Sequence, residues 1–154
     1  MFSPLIHIVL HQPEIPENTG NVGRTCVALG AKLWLVRPLG FRLEDRRLRR
    51  AGLDYWQHLD YDVMDDWAAL EGRLAGSRLW LFTKHAVRKY TEAVFLPGDG
   101  LVFGGESAGL PGGLIEKHAD RCLRIPMKAE ARSLNLSVSV AVAAYEALRQ
   151  CRVS

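Results

Sequence analysis

The feature that most constrains this chain is the alternation of short β-branched and aliphatic runs with segments of helical character. "LIHIVL", "KLWLV", "RLWLFT", "GLVFG" and "CLRIPM" read as strands. Strands of four to six residues separated by helices predict an α/β fold around a mostly parallel sheet. Between the first two runs lies "PENTGNVGRTCVALGA", where Asn18 or Thr19 can cap a helix that places Val22, Cys26 and Leu29 on one face and closes at Gly30. Asp65 or Asp66 opens a second helix reaching about Leu74, with Trp67, Leu70 and Leu74 as its inner stripe.

The C-terminal stretch fits two periods. "SLNLSVSVAV" alternates as a surface strand would, yet Leu134, Val138, Ala141, Tyr145 and Leu148 also step by four and three, and "AVAAYEALRQ" is rich in strong helix formers. The spacing predicts a helix beginning near Asn135 or Leu136. Both of its faces are apolar or small, which suggests packing against a partner subunit as well as the sheet.

The chain of 154 residues, 48% hydrophobic and 24% charged, has the make-up of one globular domain, and neither a repeat nor a linker divides it. We expect a single domain over 1–154 without a separate RNA-binding extension. The opening "MFSPLIHIVLH" is too short in its apolar run for a signal peptide or membrane span, so a cytoplasmic location is expected. Cys26, Cys122 and Cys151 lack paired spacing and read as reduced core residues. His7, His11, His58, His85 and His118 show no metal-ligand pattern, so no metal is expected. Trp34, Trp67 and Trp80 read as core. Net charge is only +3, but Arg42, Arg46, Arg47, Arg49 and Arg50 crowd into nine residues, either a solvated helix face or a phosphate-binding patch.

"LVFGGESAGLP" holds Gly105-Glu106-Ser107-Ala108-Gly109, which matches the G-x-S-x-G elbow of serine hydrolases. The rest of that machinery is missing: His118 is the only histidine after Ser107, Glu116 the only acid between them, and Pro111 breaks the helix that should follow. Neither a Walker loop nor G-x-G-x-x-G is present. What remains is a strand ending in Gly104-Gly105, a carboxylate, and a rigid turn, positioned to line the crevice at the carboxyl ends of the strands.

Taken together, "PEIPENTGNVGRTC", "LVFGGESAGLP" and "IPMKAEARSLNLSVSVAVAAYEALRQ" resemble, in order and spacing, the three motifs of the SPOUT class of RNA methyltransferases. From about Ile6 to Gln150 the chain is most similar to the small TrmL-type tRNA 2′-O-methyltransferases. That resemblance implies a sheet with a C-terminal deep trefoil knot, S-adenosylmethionine as cofactor, a homodimer through the last helix, and methylation of the wobble ribose, cytidine or uridine, in the anticodon stem-loop of certain tRNAs, leucine isoacceptors first. It implies a cofactor pocket at Phe82, Thr83, Gly104, Ile125, Met127, Ser133 and Leu134. Around the target ribose it implies Asn21, Arg24, Glu106, Ser133 and Asn135, and along the tRNA Asn18, Arg46, Arg47, Arg49, Arg50, Tyr55 and Arg132, with Trp56 as a further stacking surface. An arginine matching Arg24 has been cast as the base, but guanidinium stays protonated in proteins, so orienting the ribose and a phosphate is the alternative role. Enterobacterial sequences of this type carry Pro, Thr and Arg where this chain has Gly105, Ser107 and Ala108, and Asn where it has Val138. Other outcomes consistent with the motifs are another tRNA or rRNA target and a catalytically silent RNA-binding relative.

Overall fold

The computed structural model describes residues 3–152. Six strands form one sheet in the order β3-β2-β1-β5-β4-β6, every neighbouring pair parallel: β1 (His7–His11), β2 (Lys32–Val36), β3 (Tyr61–Met64), β4 (Leu79–Phe82), β5 (Gly100–Gly104) and β6 (Cys122–Leu123). The order reverses between β1 and β5, so loops leaving their carboxyl ends diverge and open a crevice there.

Alternation along the strands splits the interior in two. On one face Ile8, Leu10, Leu33, Leu35, Trp80 and Phe103 meet helix α1 (Pro16–Leu29) and helix α5 (Leu136–Cys151). On the other, Val9, Trp34, Val36, Leu79, Leu81 and Val102 meet Leu70 and Leu74 from and beside α3 (Trp67–Arg73), and Leu114 and Ile115 of α4 (Gly112–Lys117). A sheet covered on both faces buries nearly every strand residue, which is why its strands read as continuous apolar runs. Helix α2 (Arg46–Gly52) lies against α1 rather than the sheet. Its approach depends on Gly20: a Cβ there would overlap the Leu48 carbonyl and stand 2.7 Å from the Ala51 Cβ.

Several expected elements are observed nearly as read. Asn135 caps α5, Asp66 caps α3 by accepting from the Ala69 amide at 2.8 Å, and Gly30 closes α1 in the left-handed region at φ 73°. Two differ. Helix α1 begins at Pro16 rather than after Asn18 or Thr19, because the Asn18 side chain is engaged elsewhere and proline fits the first helical turn. The sixth strand, β3, runs "YDVM" at the sheet edge, where Asp62 receives Lys32 Nζ at 2.7 Å and Arg73 at 3.4 Å. A charged edge strand lacks the apolar run that marks a central one. "CLRIPM" contributes only two residues to the sheet, the rest turning away toward the crevice. All three cysteines are buried free thiols, and burial pushes the Cys26 thiol far up.

Asp99 anchors the return from β4 to β5. Only 2% exposed, its carboxylate accepts from Arg78 Nε and Nη2 at 3.0 and 2.7 Å, Trp80 Nε1 at 2.9 Å and the Leu96 amide at 2.9 Å. Gln150 ties α5 to the same region, accepting from the Phe95 amide at 2.8 Å and donating to the Ala93 carbonyl at 3.1 Å. Truncating Asp99 strands these donors, so Asp99→Ala should destabilise the fold by about 3 kcal/mol, the cost of breaking a buried pair. A urea titration of the variant against the parent measures it.

Candidate functional site

The three motifs meet through one chain of hydrogen bonds. At the end of β5, the Glu106 carboxylate accepts from the backbone amides of Glu14 at 2.7 Å and Ile15 at 2.9 Å, the residues that lead into α1. It also accepts from Asn18 Nδ2 at 3.1 Å, and Asn18 Oδ1 in turn accepts from Asn135 Nδ2 at 3.0 Å. Asn135 Oδ1 then caps α5, accepting from the Ser137 and Val138 amides at 2.9 and 3.3 Å. Residues 18, 106 and 135 are thus held in register by their side chains.

A reciprocal clamp closes the loop. The Glu14 carboxylate accepts from the Ser107 amide at 3.1 Å and the Ser107 hydroxyl at 2.7 Å. The elbow serine is therefore a structural donor. His118, the histidine a hydrolase would need, packs edge-on against Trp67 at 6.4 Å between ring centres, with Glu71 at 3.9 Å. Gly104 makes the tight return possible, because a Cβ there would overlap the backbone of Gly109 and Leu110.

These loops border a cavity of about 520 Å³ at the carboxyl ends of β4, β5 and β6. Phe82, Phe103, Ile125, Met127, Leu134 and Leu136 supply apolar walls, and Thr83, Gly104, Arg132 and Ser133 lie among them. Asn18, Glu106 and Asn135 form its polar side. Lys84 and His85, which the sequence did not single out, also line it and lie exposed. The size and mixed lining suit one cofactor-sized molecule with an uncharged ring and a polar end. Among the described residues no group of His, Cys, Asp and Glu is arranged to hold a metal ion.

Asn21 and Arg24 are not part of this wall. Both are exposed on α1, and the Arg24 guanidinium lies over the Tyr55 ring, 5.1 Å from its centre. Nearby, the basic cluster is sorted by its contacts. Arg47 pairs with Asp45 at 3.1 Å, and Arg49 donates to the Leu43 carbonyl at 3.2 Å while its guanidinium lies 5.9 Å from the Trp56 ring centre. Arg46 and Arg50 are exposed with no ion-pair partner among the described residues. Tyr55 is 41% exposed and free to stack, whereas Trp56 is 5% exposed. Trp56 is therefore a core residue and not a stacking surface: its ring fills the space that Gly23 leaves on α1.

The sequence reading gave Glu14 no role beyond charge near a helix start. The signal that could have found it was a carboxylate two residues ahead of Pro16 facing a glycine-rich loop. Its bonds to Ser107 hold the carboxyl below its ordinary value of 4.5. A depressed folded-state value means that the clamp contributes fully above pH 4.5 and weakens as pH falls through the lowered value. Glu14→Gln should flatten the acid limb of stability below pH 4.5, read as melting temperature against pH. Glu106→Gln sets an amide NH₂ against a backbone donor and should cost about 2 kcal/mol, measured by urea denaturation.

Comparison with known proteins gives this geometry its context. The model of the SpoU rRNA Methylase family matches residues 5–145. A tRNA (cytidine(34)-2′-O)-methyltransferase of Methylovorus glucosotrophus is 46% identical over 147 residues, covering 95% of this chain and 96% of that one. A solved structure described as "Structural insights into the 2-OH methylation of C/U34 on tRNA" is 51% identical, with a TM-score of 0.90 over 94% of this chain and 95% of that one. The SpoU methyltransferase AviRb from Streptomyces viridochromogenes, solved in complex with the cofactor AdoMet, shares the fold at 24% identity and a TM-score of 0.85, over 97% of this chain and 59% of that one. A parallel sheet whose strand ends open on one cavity, matched along most of its length by that model, places the chain in the SpoU methylase family.

Proposed function

We propose that the protein transfers a methyl group from S-adenosylmethionine to the ribose 2′-hydroxyl of the wobble nucleotide, cytidine or uridine, in tRNA. The observation that carries this reading is the Glu106–Asn18–Asn135 relay on the polar side of a cofactor-sized cavity. It is supported by relatives at 46% and 51% identity whose names or descriptions state that reaction. Leucine isoacceptors, a cytoplasmic site of action and a knotted passage of the C-terminal third belong to the same proposal. No described helix is long and apolar enough to cross a membrane.

The walls fit the cofactor. Phe82, Ile125, Met127 and Leu134 enclose its adenine, and backbone groups near Thr83, Gly104 and Ser133 meet its polar edges. When bound, S-adenosylmethionine supplies an electrophilic methyl on a sulfonium and leaves as S-adenosylhomocysteine. The chain must align the hydroxyl in line with that methyl and give its proton a destination. Glu106 is not that destination, because its oxygens already accept two backbone amides and Asn18. Glu106 holds Asn18 and Asn135 in place, and these amides orient the ribose. Arg24, a fixed cation, gathers the neighbouring phosphate, with that phosphate or solvent taking the proton. Exposed Arg46 and Arg50 hold phosphates further along the stem-loop, and Tyr55 offers a face for stacking. Arg132, Lys84 and His85 add positive charge around the cavity.

The outer surface of α5 carries Val138, 48% exposed, and Tyr145, 50% exposed, with Leu134 near its start. We assign this apolar face to a homodimer contact, as the doubly apolar helix implied.

Purified protein, labelled S-adenosylmethionine and tRNA from a strain lacking the modification test the reading. A label mapped by mass spectrometry to a 2′-O-methylated wobble pyrimidine supports it, and label elsewhere or none overturns it. Arg24→Ala should lower kcat/KM for tRNA by about a hundredfold, the scale set by misorienting a reacting group, while calorimetry shows unchanged cofactor affinity, because Arg24 lies off the cavity wall. Arg46→Ala with Arg50→Ala should weaken tRNA binding and lower the slope of log affinity against log salt by about 1, read by filter binding across salt concentrations.

A further inference from the structure

A second cavity, about 240 Å³, borders the first along the 105–109 loop, with Gly105, Ala108 and Gly109 facing both. Its other walls come from the ends of β1 and β2: His11, Gln12 and Glu14 on one strand exit, Pro38, Leu39 and Gly40 on the other. It is smaller than a typical ligand pocket and suits a single planar ring. Pro38 and Leu39 offer apolar surface, while the polar character comes from the β1 exit.

His11 is the informative wall. It is 6% exposed, set edge-on to Trp67 at 6.0 Å, and burial lowers its pKa below the ordinary imidazole value. A hydrogen bond within its own residue engages part of the ring, and no other described residue bonds to it. Neither nitrogen is among the sealed, unpartnered polar atoms, which are Thr19 Oγ1, Trp67 Nε1 and His118 Nε2. The unbonded edge of the ring therefore opens toward the cavity. Gln12, next along, holds φ at 53°, a costly conformation for a residue other than glycine and one found at ligand clamps.

We propose that this cavity receives one unstacked pyrimidine base of the substrate RNA, with His11 reading its hydrogen-bonding edge. The inference rests on the methylation reading, because a ribose held beside Glu106 carries its base one ring away, along the loop that both cavities share. A neutral imidazole offers a donor or an acceptor according to its tautomer, so it meets the Watson–Crick edge of cytosine or uracil. The small residues Gly105 and Ala108 leave room for the ring.

The test titrates cytidine and uridine 5′-monophosphates into isotopically labelled protein and follows the His11 ring resonances. Shifts with both nucleotides are expected, lost in Ala108→Trp, whose exposed position lets the variant fold while its side chain fills the space. His11→Phe should lower kcat/KM for tRNA at least tenfold with S-adenosylmethionine affinity unchanged, and His11→Gln should regain part of the loss. Absence of any His11 shift with either nucleotide overturns the proposal, as does full tRNA activity in His11→Phe. If the parent protein transfers no methyl to tRNA while the nucleotides still shift His11, the methylation reading fails and the base site stands.

Discussion

The structure turns on one carboxylate. Glu106 sits where β5 ends and the strand order reverses, and it takes the two backbone amides that lead into α1 together with the Asn18 side chain. A carboxylate beside the start of a helix is stabilised by the field of that helix, and its bonds to backbone donors are charge-assisted. The result joins three segments that lie 88 and 117 residues apart in pairs along the chain. Parallel sheets gather their loops at one end by topology alone, but they do not fix side chains there. Here the relay does that, and Glu14 returns the favour by gripping Ser107.

A consequence is a division of labour between rigidity and exposure. The cavity walls that suit the cofactor are set by strand ends and by the cap of α5, all tied into the buried core. The cations suited to RNA lie outside, on the exposed sides of α1 and α2, where they can meet phosphates without desolvation. Arg24 over Tyr55 belongs to this outer layer. Such an arrangement lets a small protein bind a compact cofactor tightly and a large polyanion over a wide surface, the two tasks drawing on different physics.

Much of this was legible in the residues, for reasons that differ by element. Gly30, Asp66 and Asn135 announced helix ends because capping is a local chemistry, decided within a few residues. β5 was legible as "GLVFG" because a central strand is apolar on both sides. β3 was not, since an edge strand with Asp62 in ion pairs shows no such run. The start of α1 was misread because Asn18, a good capping type, is bonded instead to two residues distant in sequence. Motif resemblance brought Asn18, Glu106, Ser133 and Asn135 to one place, and the cavity gathers them. It also grouped Asn21 and Arg24 there, whereas the helical turn carries them to the exposed side of α1. Trp56 looked like a stacking surface beside arginines, but the glycine face of α1 leaves a space that only a large buried ring fills. Glu14 and His11 matter through partners that no local pattern reveals.

The central claim is that the relay of Glu106, Asn18 and Asn135 marks the place of methyl transfer. A crystal structure with S-adenosylhomocysteine and an anticodon stem-loop oligonucleotide tests it most directly. The account predicts adenine between the apolar walls at Phe82 and Leu134, the thioether sulfur facing the relay, and the wobble 2′-oxygen about 3–3.5 Å from where the methyl would sit. Cofactor bound outside this cavity, or the sulfur turned away from Asn18 and Asn135 with the ribose elsewhere, would contradict it.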